Sequence, residues 1–246
     1  MPRLLLAASA AAAGVATLVA LPAAADRSHR NALDEDGRAF GSAWAETGRF
    51  EALTATGLDD VRLVTGDRWR IRASGDARAL AQLRFLVRDE ALIVGRASHP
   101  RERYGKARIE ITAPALRAVT AAGSGVVDVE RIAGPRASAT IAGSGRTTIR
   151  RLEAERLSAT LAGSGGLDLA GRSQRADLTI AGSGRLTGDG FTAASAHVTV
   201  AGSGSARFRS PGQVRATIVG SGSVTVTGTN DCRQTRMGSG RLVCTR

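Results

Sequence analysis

From residue 118 to the C-terminus, apolar and polar side chains alternate in short runs. The runs recur about every twenty residues. They read SATIA (138–142), SATLA (158–162), DLTIA (177–181), HVTVA (197–201) and RATIV (215–219). Strict alternation predicts half-buried β-strands. Their inward columns are Ala121, Ile141, Leu161, Ile180, Val200, Ile218, Arg236 and Val119, Ala139, Ala159, Leu178, Val198, Ala216, Gln234. Between them stands an outward column of threonine alone: Thr120, Thr140, Thr160, Thr179, Thr199, Thr217 and Thr235.

Each run ends in the same corner, Gly-Ser-Gly. The copies are Gly123-Ser124-Gly125, Gly143-Ser144-Gly145, Gly163-Ser164-Gly165, Gly182-Ser183-Gly184, Gly202-Ser203-Gly204, Gly220-Ser221-Gly222 and Gly238-Ser239-Gly240. A second alternating strand follows each corner, with Val127, Thr147, Leu167, Leu186, Ala206, Val224 and Leu242 in its first inward column. Strand, glycine corner, strand and a looser polar return make one coil of a solenoid. Glycine suits the corner because it accepts positive φ and close backbone approach. The expected fold is all-β: a single-stranded parallel β-helix of about seven coils of 18–20 residues, with coils rising about 4.8 Å each. A leucine-rich repeat is excluded by the absence of L-x-x-L-x-L, and a helical repeat by the absence of a 3.6-residue period.

Residues 49–111 break this pattern. They predict short strands at Val61–Thr65, Trp69–Ala73, Phe85–Val87, Ala91–Val94 and Ala107–Ile111, with a helix near Ala77–Leu83. This reads as an N-terminal strand-rich cap, continuous with the repeat β-helix of residues 112–246, because an open solenoid end needs covering. Residues 26–48 are polar and weakly patterned, and read as a flexible linker. Residues 1–25 carry Arg3, an apolar run from Leu4 to Leu21, and Ala23-Ala24-Ala25 before Asp26. That is the pattern of a secretory signal peptide with an A-x-A cleavage site. An uncleaved anchor is the competing reading, which the alanine-rich run disfavours. No later segment is apolar enough to span a membrane. Cys232 and Cys244 are the two cysteines. In an oxidising compartment they are expected to pair and pin the last coil, two free buried thiols being the alternative.

The exported start, the segment from Gly48 to Gly95 (GRFEALTATGLDD…ALIVG), the segment ARIEITAPALRAVTAAGSG (107–125) and the serial Gly-Ser-Gly coils resemble the putative auto-transporter adhesin, head GIN domain family of bacterial envelope proteins. The resemblance covers residues 48–246. It implies a parallel β-helix with an adhesive role and supplies no catalytic residue.

The chain carries a formal charge of +12, and Lys106 is its single lysine. An arginine-rich, Ala/Gly-rich composition without basic runs or interleaved aromatics argues against nucleic-acid binding. The corner serines are not a nucleophile elbow. G-S-G lacks the G-x-S-x-G frame, and His197 is the single histidine of the repeats. Their hydroxyls are expected to bond backbone groups at the turn. Asp128 and Asp168 share one outward column with Thr148 between them. Two coil steps put them roughly 9–10 Å apart, the far edge of an inverting glycosidase pair. No aromatic platform accompanies them, so solvated surface acids are favoured over a polysaccharide-acting enzyme. Neither cofactor nor metal is expected: Gly165-Gly166-Leu167-Asp168 is a single broken copy of a calcium-binding repeat, and the histidines are isolated.

The Thr ladder adjoins an outward column of Ala122, Ala142, Ala162, Ala181, Ala201, Val219 and Met237. Stacked threonines are expected to hydrogen-bond along the ladder. The Thr/Ala face is either covered by the N-terminal region or free to dock a partner. Expected partners are an envelope glycan, a wall polymer or another envelope protein, in the periplasm or at the cell surface. A purely structural envelope role is the remaining alternative.

Overall fold

The computed structural model describes residues 32–97 and 105–246, so the signal-peptide reading of residues 1–25 falls outside the described residues. The repeats close into a parallel β-solenoid. β9 (Ala118–Gly123), β10 (Val126–Gly143), β11 (Arg146–Gly163), β12 (Gly166–Gly182) and β13 (Arg185–Gly202) each hydrogen-bond to the next in parallel. The register is the one the repeat demands: Thr120, Thr140, Thr160, Thr179 and Thr199 are consecutive rungs, and Gly123, Gly143, Gly163, Gly182 and Gly202 stack beside them. β14 (Ser205–Arg209), β15 (Val214–Gly220), β16 (Ser223–Thr227), β17 (Cys232–Met237) and β18 (Arg241–Thr245) continue the ladder. The later coils are shorter: the middle strand segment present in β10–β13 gives way to a turn at Ser210–Gly212.

The two glycines of a corner answer different constraints. Gly163 sits at φ +114°, in the left-handed region that costs side-chain-bearing residues. The second glycine, Gly165, has no such φ. A Cβ there would stand 2.5 Å from the carbonyl oxygen of Gly145, one coil below. Corner serines contribute through the main chain: the N–H groups of Ser164 and Gly165 both donate to Gly143 O, at 3.0 and 2.9 Å. Their hydroxyls, expected to bond the backbone, are instead exposed to solvent in all seven coils. With the N–H groups already committed to the coil below, the side chain is left pointing outward.

The N-terminal region contains a coil that lacks the repeat motif. β3 (Ala52–Gly57) and β4 (Asp60–Thr65) lie under β9 and β10, pairing Thr54 with Thr120, Gly57 with Gly123 and Val61 with Val127. Its corner is Gly57-Leu58-Asp59. The chain then makes β5 (Arg70–Gly75), helix α2 (Ala77–Gln82, N-capped by Asp76), β6 (Leu83–Arg88), β7 (Ala91–Arg96) and β8 (Ala107–Ala113). β7 and β8 pair in parallel with the far sides of β3 and β4, so β3 lies between β7 and β9. The chain therefore builds its second coil outside the first and steps over both to begin the repeats. β6 and β5 then run antiparallel along β7 and β8, ending the parallel stack.

Residues 26–48 were expected to be a linker. Their described part, 32–48, is packed structure. Helical residues 32–36 (α1) bury Leu33 against Leu86 and Ile93. β1 (Arg38–Ala39) and β2 (Ala45–Glu46) extend the sheet on β6 and β5. Phe40 packs edge-on against Phe85, their rings 5.5 Å apart. Leu33 and Phe40 are too sparse among polar neighbours to form a periodic signal, so only the partner surface makes the burial visible.

One hydrophobic core runs through the whole stack, and its apolar columns are the inward positions of the repeat. At the C-terminal end the interior closes with polar groups. Gln234 donates from Nε2 to Gly240 O and accepts from the N–H of Leu242, at 3.3 Å each. Cys232 and Cys244 are disulfide-bonded across the same coil.

Candidate functional site

Side chains projecting from β9 through β17 build one long outward face in four parallel columns. The first is Arg136, Arg156 and Arg175, in consecutive register. Next comes Ser138, Ser158, Asp177, His197, Arg215 and Arg233, then the Thr ladder, then the Ala column ending in Val219 and Met237. Columns stand two residues apart along each strand, and rungs one coil apart along the axis.

The covering question has a divided answer. Ile93 and Thr54 occupy the first two positions of the Thr column, and both are buried. Ile93 packs directly under α1 in the small cluster with Leu33 and Leu86. From Thr120 to Thr217 the threonines are half-buried, as flat sheet positions are, and Thr235 is exposed. Among the described residues, cover is confined to the N-terminal end of the face. The ladder hydroxyls, expected to bond one another, form no such bonds among the described residues.

The arginine edge is grooved. A cavity of about 510 Å³ is lined in part by Arg117, Arg136, Ser138, Arg156 and Ser158. A second, of about 670 Å³, is lined by Pro135, Arg136, Glu155, Arg156, Gln174 and Arg175. The two share Arg136 and Arg156 and so form one track along the edge. Arg117 is spoken for, paired with Glu51 and Glu90. Arg136, Arg156 and Arg175 are exposed and form no ion pair among the described residues.

Asp128 and Asp168 project from a different part of the coil, on rungs flanking Thr148. Asp128 accepts two hydrogen bonds from Arg150, at 2.8 and 2.5 Å. Those bonds raise the Arg150 pKa above its already high ordinary value, so the partner stays charged. A fork-paired carboxylate is poorly suited to giving or taking a proton in turnover. Further along the same column Arg62 is the rung below Asp128, and Glu110 beyond it is held by Arg72 at 2.6 Å. Among the described residues no group of three or more His, Cys, Asp or Glu is placed to hold a metal ion, and no helix is long and apolar enough to cross a membrane.

Two features escaped the sequence reading. The arginine column falls in the polar return, where alignment by the Gly-Ser-Gly triplet was not carried, although its spacing of 20 and 19 residues matches the repeat. The Thr54 coil was missed because its corner has Leu58 and Asp59 in place of Ser-Gly.

Residues 49–230 match the family model described as putative auto-transporter adhesin, head GIN domain. Among solved structures, a putative adhesin from Bacteroides fragilis is similar, with a TM-score of 0.74 at 19% identity, over 83% of this chain and 95% of that one. A putative lipid binding protein from Parabacteroides distasonis gives 0.67 at 20%, over 85% and 100%. A putative adhesin from Parabacteroides merdae gives 0.67 at 19%, over 83% and 95%. These likenesses are of fold. No curated protein matches the chain.

Proposed function

The chain belongs to the head GIN domain family of putative auto-transporter adhesins, and from that premise we propose that it is an exported, non-catalytic binding module of the cell envelope or cell surface. It engages a glycan, a wall polymer or another envelope protein through the outer face of its solenoid. The observation that carries this reading is the long outward face, with its Thr and Ala columns continuous from β9 to β17. Strands in register repeat the Thr and Ala columns from coil to coil, while the outer two columns vary, on a scaffold held by its own ladder and core. Such a surface suits an extended, repetitive partner better than a compact one.

Export is supported by the N-terminal pattern of residues 1–25 and by the Cys232–Cys244 disulfide, a bond that persists in oxidising compartments. The non-catalytic reading is supported by the fork pairing of Asp128 with Arg150.

Co-sedimentation of the purified chain with isolated envelope fractions, at low and high salt, tests the proposal. Saturable binding that persists at high salt is the expected result. Binding abolished by salt would reduce the interaction to the net charge of +12 acting alone.

A further inference from the structure

We infer that the arginine edge of this face is a binding track for an anionic polysaccharide, with Arg136, Arg156 and Arg175 as its charge-reading residues. The inference rests on the envelope-binding reading and specifies its ligand class and its location. Three guanidinium groups stand on consecutive rungs of one parallel ladder, about 4.8 Å apart at their Cα atoms. Three like charges in a row repel one another, and none of the three, all exposed, has an ion-pair partner among the described residues. The carboxylates that line the same grooves, Glu51, Asp89, Glu90 and Glu155, stop short of pairing with them. Other exposed arginines, such as Arg146, Arg185 and Arg207, are also unpaired among the described residues, but no arginine stands on the rungs next to them. What sets this column apart is three in consecutive register. A bound chain of anions supplies what this column lacks.

The surroundings select the kind of anion. Ser138 and Ser158 stand one column inward beside Arg136 and Arg156, and both line the 510 Å³ groove. Hydroxyls beside forked guanidinium donors match a sugar that carries both hydroxyl and carboxylate groups. The track has charged limits as well. Glu51 and Glu90, paired with Arg117, close its N-terminal end. Glu155 lies in the second groove, Asp177 stands beside Arg175 in the next column, and the rung after Arg175 is the uncharged Ser195, so the arginine column is a short, narrow line. A line one column wide fits a linear polymer, whereas an anionic membrane would call for a broad basic plane.

The test uses the purified chain, with polygalacturonate as the probe, neutral dextran as the uncharged comparison and anionic phospholipid vesicles as the membrane comparison. Arg136→Gln, Arg156→Gln and Arg175→Gln are combined in one variant. A control variant combines Arg146→Gln, Arg185→Gln and Arg207→Gln, removing the same charge from exposed positions on a different part of the coil. Circular dichroism verifies that both fold. The expected result is binding of polygalacturonate but not dextran, weakened at least about tenfold in the edge variant and less than about twofold in the control. Equal weakening in both variants would overturn the inference, leaving a net-charge effect. Preference for vesicles over polygalacturonate would also overturn it. Envelope binding that persists undiminished in the edge variant would overturn the arginine track while leaving the envelope-binding reading standing. Polygalacturonate binding by a chain that ignores envelope fractions would overturn the envelope reading alone.

Discussion

A single corner residue decides whether neighbouring coils can approach. Gly163 combines φ +114° with a Cβ position 2.5 Å from Gly143 O, so neither rotation nor a small shift accommodates a side chain. Gly163→Ala is expected to lower stability by about 2–4 kcal/mol in urea unfolding. Ser164→Ala should change it by less than about 0.5 kcal/mol, because the serine bonds through its N–H and its hydroxyl is exposed. The reverse sign is expected at Thr147. This inward position is fully buried between Val127 and Leu167, and its Oγ1 has no hydrogen-bond partner. Thr147→Val removes a stranded hydroxyl without opening a cavity, and should raise stability by about 1 kcal/mol, read as a higher Tm.

At the scale of elements, the two ends of the stack are closed by different chemistry. The C-terminal coil has polar residues where the repeats place apolar ones, and Gln234 and the disulfide hold it. Cysteines 12 positions apart close a short loop, so reduction should cost about 2–4 kcal/mol. Hydrogen exchange should then accelerate first in β17 and β18; uniform acceleration through the stack would contradict a local role. At the N-terminal end Asp59, almost fully buried, accepts from Arg96 at 2.7 and 2.6 Å and from the N–H of Ala107 at 2.8 Å. It ties the first corner to β7 and β8. Asp59→Asn leaves a partly buried guanidinium without its counter-charge and is expected to cost about 2–4 kcal/mol, measured by urea unfolding. The bonds to Asp59 raise the Arg96 pKa further. The arginine side of this contribution is therefore complete at neutral pH and is lost only as strong alkali strips the proton.

At the scale of the whole molecule, the question is whether catalysis or adhesion uses the long faces. Asp128→Asn with Asp168→Asn should leave envelope binding within about twofold of the parent, since both acids lie off the four-column face. A loss of polysaccharide cleavage in that variant would instead reveal an enzyme. The columns also explain why so few aromatics suffice. Each coil buries small aliphatic residues against the equivalent positions above and below, and Phe191 and Phe208 are the two fully buried aromatics of the repeats.

The repeat region was legible in the sequence because its contacts are local in one sense: each rung meets the equivalent position of the next coil, so a period in sequence is a register in space. Alternation set which columns face inward, and the glycine triplets marked the corners. Strands β4 to β8 and helix α2 were legible from ordinary periodicity. The placement of these elements was not. Nothing in their residues says that β7 lies outside β3, or that Gly57-Leu58-Asp59 is a corner, because those relations depend on which edge remains open after the repeats have stacked. Leu33 and Phe40 became core residues only when β6 and β7 offered them a surface. The arginine track is divided between the two. Its residues keep the repeat spacing, seven positions before each Gly-Ser-Gly, so the column itself was there to be read; what only the folded ladder decided is the groove beside it, with Glu51 and Glu90 closing one end.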